Sequence, residues 1–435
     1  MRLDPRRLLH SILGRRSEPP PEDPGPPPLP QELLVLLRDL GVALCRSGEA
    51  SDRAAAILHD VAACYGVHDV EFFVMPTVVL VRVGDADGSA HIDFSLAEAD
   101  QLRLDQIARL YDLITEIGDE HIDPVEATDK LRHIIADKPR FRPWVTIAAF
   151  ALLALGLGLI RNPAPVALFG YALLGAMVGA LQLISKKIRV LTLGLPVAAA
   201  ILVTFAAYTL PDAVTGGDPT ALLLPPLVMF LPGAALTIGT IELASGSMMA
   251  GSARLAYAVI VLLLLSFGIL IGTEITDVHT GHPAPTLGWW APWLGVLITG
   301  IGHFLNSSGP ARSLPWLLLV LYGVWLALRG GDLFGSALFG AFLAGLVLTP
   351  LSYFVQTRPG GPPAQVSFLP AFWLIVPGTL GLTGVSELVT GAKSVVGGVN
   401  DLVTTLLTVL AIALGVLVGS SLAPTTRKAV RATVS

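Results

Sequence analysis

Two carboxylates, Glu242 and Glu387, stand inside long apolar runs, and each follows a Pro-Gly pair at the same distance. The first run reads Leu231-Pro232-Gly233-Ala234-Ala235-Leu236-Thr237-Ile238-Gly239-Thr240-Ile241-Glu242-Leu243-Ala244-Ser245-Gly246; the second, from Val376 to Gly391, reads VPGTLGLTGVSELVTG. One shift of 145 positions carries Pro232 to Pro377, Gly233 to Gly378, Gly239 to Gly384, Glu242 to Glu387 and Gly246 to Gly391. Proline removes a backbone donor and frees a carbonyl one turn earlier, while glycine relaxes the chain beside it. A bilayer tolerates such a break only where neighbours or a water-filled cavity satisfy the freed groups. The break also exposes the positive N-terminus of the half-helix that follows, which suits a ligand's carboxylate. A packing kink is the plainer reading, and duplication of the break favours the ligand site.

The two glutamates lie ten positions beyond the prolines, roughly 15 Å along a helix and therefore near a membrane face. A carboxylate there binds a ligand ammonium, carries a coupling proton, or anchors a helix at the interface; inside a membrane it is costly and is functional by default. Thr237 and Thr383 add hydroxyls to the two runs. The candidate binding residues are Pro232, Gly233, Thr237 and Glu242 in the first copy, and Pro377, Gly378, Thr383 and Glu387 in the second. No nucleophile–base pair, metal-ligand spacing or phosphate-cradling glycine loop accompanies them, so neither a cofactor nor ATP-driven chemistry is expected.

These residues need a membrane to work in. The 435 residues are 53% hydrophobic and only 14% charged, and from about Trp144 onward apolar runs follow one another. Runs of about 18 or more such residues are long enough to cross a bilayer core. Ten spans are expected, at about 144–161, 164–184, 190–210, 221–244, 253–272, 289–305, 314–328, 332–354, 366–390 and 400–421. Five spans per half is an odd number, so the halves, 143–272 and 289–421, must insert in opposite directions as a 5+5 inverted repeat. Lys130, Arg132, Lys138, Arg140 and Arg142 precede the first span, and Arg427, Lys428 and Arg431 follow the last. The positive-inside rule then puts the N-terminal domain and the C-terminal tail, 422–435, in the cytoplasm. Trp289, Trp290 and Trp293 read as an aromatic belt on the outer face. A net charge of -5 with no basic stripe excludes a nucleic-acid partner.

Ahead of the membrane, residues 1–30 form a basic tail and a proline-rich linker (PPPEDPGPPPLP). Residues 31–140 read as a cytoplasmic α+β domain. Leu33, Leu34, Leu37, Leu40 and Leu44 recur at helical spacing, and Ser51 or Asp52 can cap a second helix that Gly66 ends. Val70–Val74, Thr77–Val83 and Ala90–Phe94 are strand-like, and helices follow at about 99–117 and 124–136. That order predicts an antiparallel sheet with helices on one side. The carboxylates Glu116, Asp119, Glu120, Asp123 and Glu126, with His121, sit at helix ends, where solvation is the plain reading. Cys45 and Cys64 fit no zinc or redox spacing and read as free thiols.

This N-terminal stretch resembles the threonine/serine exporter family, bacterial amino-acid exporters with a soluble N-terminal domain and ten membrane spans. The resemblance rests on Leu40-Gly41, Ala43-Leu44, Ser47-Gly48, Tyr65-Gly66-Val67 and Pro76-Thr77, and on the Leu231–Thr237 run. It spans roughly 31–421, and it departs at Asp85 and Asp87, where the family pattern is basic. It implies secondary export of small neutral amino acids, threonine and serine, across the plasma membrane. Such a protein is not an enzyme; its partners are an amino acid, protons and the lipid bilayer, with homo-oligomerisation open. The rivals are a transporter of another small metabolite and a membrane-anchored hydrolase whose soluble domain is catalytic.

Overall fold

The leucine stripe Leu33, Leu37, Leu40 and Leu44 folds as α1 (Gln31–Arg46) with that face fully covered. The computed structural model describes residues 31–84, 90–97, 100–120, 122–161, 163–216, 219–276, 286–375, 382 and 395–422. Helix α2 (Ser51–Cys64) follows, and Gly66, at φ +78°, makes the turn out of it. Strands β1 (Val70–Met75), β2 (Val78–Gly84) and β3 (Ala90–Leu96) then pair antiparallel in chain order. Alternation puts Val79, Val81 and Val83 of β2 in the core under α1 and α2. The opposite face carries Phe73, Leu80 and Phe94 in one row across the three strands, with Phe73 and Phe94 exposed.

Helices α3 (Leu104–Glu120) and α4 (Pro124–Ala136) close the core. Asp123 caps α4 by accepting from the Val125 N–H, and Pro124 stands where a missing donor costs nothing. The Gln106 amide of α3 donates to the last carbonyls of α4, at Ile134 and Ile135. Glu116 and Glu126 pair with Lys130. Three carboxylates of this run, Glu116, Asp123 and Glu126, are thus occupied with capping and ion pairing; His121 lies outside the described residues.

From Pro143 on, the described structure is helical. In order come α5 (Pro143–Ile160), α6 (Ala167–Ser185) and α7 (Arg189–Thr209). A broken segment follows, made of short turns over Pro219–Phe230 and then α8 (Gly233–Ala244). The remainder is α9 (Met248–Glu274), α10 (Ala291–Asn306), α11 (Leu314–Leu333), α12 (Ala337–Gln356), α13 (Ala364–Ile375) and α14 (Val395–Leu422). Six of these helices are apolar and long enough to cross a membrane, and the broken segment taken as one makes up to seven. The chain is therefore a multi-pass helical membrane protein.

Its helices meet at glycines. In lipid there is little hydrophobic gain from pressing two helices together, so close approach of small residues does the work. A Cβ on Gly156 of α5 would lie 2.6 Å from the Thr299 nitrogen of α10, and one on Gly295 2.7 Å from the Gly156 carbonyl oxygen. Gly302 faces Leu153 and Ala149 on the same seam, so α5 and α10 run antiparallel. Gly268 and Gly272 of α9 seat against Val197 and Thr204 of α7, and Gly415 and Gly419 of α14 against Phe342 and Leu346 of α12. Two apolar clusters result, one around α6, α7 and α9 and the other around α11 to α14. Gly156→Leu, which drives a side chain into the α10 backbone, is expected to abolish monodisperse protein on size exclusion after detergent extraction. Gly330→Leu, whose nearest neighbour is a Leu343 methyl at 4.0 Å, should leave it intact.

Candidate functional site

Between Phe230 and Gly233 the broken segment turns by 57°. Pro232 takes the N-cap position of α8 with φ -81° and ψ 40°, and no side chain caps the helix there. The first turn is closed by Leu236 N–H donating to the Pro232 carbonyl. The amides before it are the orphan donors that every helix start presents. One turn in, Thr237 is 0% exposed and its hydroxyl has no hydrogen-bond partner among the described residues. Thr240, by contrast, donates back to the Leu236 carbonyl. A buried hydroxyl without a partner is expensive unless water or a ligand meets it.

Helix α8 lies between the two apolar clusters. Leu231 and Leu236 pack into the one with α6, α7 and α9, whereas Ala234 and Ile241 pack against the other. Leu382, which matches Thr237 at the 145 shift, is fully buried in the first cluster. Each copy of the repeated run thus places a residue against the opposite cluster. Pro377, Gly378, Thr383 and Glu387 lie outside the described residues.

Glu242 stands at the other end of α8 and is 0% exposed. Its Oε1 accepts from the Ser51 N–H at 2.9 Å and the Ser51 hydroxyl at 2.8 Å, and its Oε2 accepts from Arg254 Nε at 2.9 Å. Ser51 is the first residue of α2, and the preceding Ala50 offers no side-chain cap. The membrane helix therefore caps a helix of the α+β unit with a carboxylate 191 residues away in sequence. Arg254 at the start of α9 reaches on with Nη2 to the Glu49 carbonyl at 3.2 Å.

The Glu49 side chain, itself buried, pairs with Arg53 at 3.3 Å and accepts from the Tyr111 hydroxyl. Burial, with the Glu49 charge beside it, pushes the Tyr111 phenol well above its usual range. The Arg53 guanidinium lies 5.1 Å from the centre of the Tyr353 ring of α12. Burial also pushes the nearby Cys45 thiol up to about 11, with Arg254 opposing and Glu242 adding.

The four described candidates thus share one rod with two ends. Pro232, Gly233 and Thr237 form the break, and Glu242 faces the α+β unit; the carboxylate is not brought to the break. Sequence reasoning did not find Ser51, Glu49, Arg53 or Tyr353. Arg254 had a signal, a lone cation just inside an apolar run, which requires a partner. Among the described residues no group of three or more His, Cys, Asp and Glu is placed to hold a metal ion.

A multi-pass membrane protein with a broken helix and a docked α+β unit is the class that this geometry defines. The family described as "Putative threonine/serine exporter" matches residues 36–276, more than half of the chain, and the chain belongs to that family. Among curated proteins it is similar to pheromone-regulated membrane protein 10 of several yeasts. The Candida albicans protein is 29% identical over 218 residues, covering 48% of this chain and 19% of the relative. The Candida glabrata protein is 25% identical over 355 residues, 75% of this chain and 42% of the relative. The Saccharomyces cerevisiae protein is 26% identical over 365 residues, 78% and 45% respectively. The chain thus spans less than half the length of these relatives. No solved structure matches it.

Removing Glu242 leaves Arg254 without its carboxylate and the α2 start uncapped in a buried place. Glu242→Ala is expected to destabilise the protein by about 3–5 kcal/mol, the usual cost of breaking a buried pair from one side. Ser51→Ala should cost about 1–3 kcal/mol. Thermal melting in detergent, followed by tryptophan fluorescence, checks both values and their order.

Proposed function

We propose that this chain is a secondary-active exporter of small neutral amino acids, threonine and serine, driven by the proton gradient across the plasma membrane. The observation that carries the reading is the uncapped start of α8 at a 57° break, one turn from the buried, unpartnered Thr237 hydroxyl. The orphan amides and positive end of the half-helix take the substrate's carboxylate. Thr237 meets a polar group of the bound amino acid.

Glu242, with both oxygens engaged by Ser51 and Arg254, acts as the anchor of α8. Pro377, Gly378 and Thr383 supply the matching break, and Glu387 is the carboxylate we assign to the substrate ammonium or the coupling proton. Membership of the exporter family supports transport rather than catalysis by the α+β unit.

The ten-span, 5+5 inverted arrangement belongs to the same reading. It is supported by the antiparallel seam of α5 and α10, the first expected span of each half. Further support comes from the α7–α9 and α12–α14 pairs. In each, two glycines four residues apart seat on the partner helix, and the facing residues Val197 and Phe342 are related by the 145 shift. The cationic flanks support a cytoplasmic position for the α+β unit and the C-terminal tail.

Efflux of preloaded radiolabelled threonine from cells expressing the chain tests the proposal. Export above the empty-vector rate, its loss with a protonophore, and a drop of tenfold or more for Glu387→Gln at equal expression are expected. Efflux that a protonophore leaves unchanged overturns the proton coupling. Absence of efflux for threonine, serine and other small amino acids overturns the exporter reading.

A further inference from the structure

The α+β unit does more than sit beside the membrane helices; it is fastened to both groups of them at once. Ser51 donates to Glu242 of α8, the helix between the two groups, and on the first group the Glu49 carbonyl accepts from Arg254 of α9. On the second, Arg53 lies over Tyr353 of α12. Val366 of α13 is a full member of the α+β unit's own core, with Leu369 packed against it. The backbone joins in, since Leu104 N–H of α3 donates to the Ser307 carbonyl just past α10 at 2.9 Å.

The strongest of these ties ends on the helix that carries the break. From Thr237 to Glu242 is five positions, about 7.5 Å along a continuous helix, so the two ends of α8 move together. A groove of about 310 Å³ opens beside this tie, and Ser51, Asp52, Phe73, Met75 and Ser247 are among the residues lining it. Ser51 therefore lines an open groove on one side and holds a completely buried carboxylate on the other.

We propose that the α+β unit is the inner gate of the exporter and that the Ser51–Glu242–Arg254 link is its catch. In this reading the structure is the closed state: the unit touches helices of both groups and holds α8 with Thr237 buried. Release of the catch frees α8 to turn and admits a cytoplasmic amino acid from the groove toward Thr237. Ser51 and Arg254 are positioning residues that act on the substrate site only through Glu242. This inference rests on the exporter reading for what passes the gate, but the gate itself can be tested without any substrate.

The reporter is Thr237→Cys in a chain carrying Cys45→Ser and Cys64→Ser. Inside-out vesicles are treated with a membrane-impermeant maleimide. Slow labelling is expected with Ser51 present, at least tenfold faster labelling with Ser51→Ala, and a return to slow labelling with Ser51→Thr, which keeps the hydroxyl. Equal labelling rates with Ser51 and Ser51→Ala overturn the catch.

A second arm joins Arg53→Cys to Tyr353→Cys with a reducible bifunctional thiol reagent. Threonine efflux should stop when the two groups are tied and recover once reductant cleaves the tie; efflux that continues at the untied rate overturns the gate. If the intact chain exports no amino acid, the exporter reading fails, and the labelling comparison still decides whether the α+β unit gates access to α8.

Discussion

A carboxylate with no exposure to water must have its charge met inside the protein, and at Glu242 this requirement ties the molecule together. Desolvating a carboxylate costs several kcal/mol before any partner is counted, and only well-placed donors recover that. The donors are Ser51 from one part of the chain and Arg254 from another. Neither the α+β unit nor the helical part satisfies the group alone. The start of α2 has a matching deficit, because Ala50 gives it no cap. Two local incompletenesses thus resolve each other, and docking of the two parts is specified by hydrogen-bond geometry as well as by apolar contact. Arg53, Glu49, Tyr111 and Tyr353 extend the same logic, each polar group meeting a neighbour from a different element.

Within the helical part a different constraint rules. Backbone groups must be satisfied within each helix and the helices gain little from mutual burial, so their order is fixed by where backbones can touch. The seams at Gly156–Gly295, Gly268–Val197 and Gly415–Phe342 are such places. The broken segment departs from this, where Pro232 interrupts the ladder and a buried hydroxyl stands one turn away.

What the sequence made legible was periodic or punctuated. The leucine stripe of α1, the valine alternation of β2 and the Pro-Gly break are all local patterns, and the folded chain uses each of them locally. The estimate that Glu242 sits about 15 Å from the break followed from helical rise alone and placed it at the end of α8, where it is found. What stayed hidden was tertiary. Ser51 looked like a cap for its own helix; it is instead the first helical residue and receives a cap from Glu242. Nothing in the residues near Ser51 announces a partner 191 positions on. The start of α3 shifted for the same reason. Helix was expected from about 99, whereas Leu102 donates to the Arg46 carbonyl and Leu104 to Ser307, holding the approach extended up to Leu104.

The distance between α2 and its cap also sets an order of events in biosynthesis. The α+β unit is translated with its own strands and helices but with the start of α2 open, because Glu242 and the core residue Val366 have yet to be translated. Several apolar helices must enter the bilayer before Glu242 exists, and Arg254 follows later still. For that interval Ser51 and the Glu49 carbonyl lack the carboxylate and guanidinium that meet them in the folded chain. The earlier-made part therefore completes its hydrogen bonding only once a later-made helix is in place.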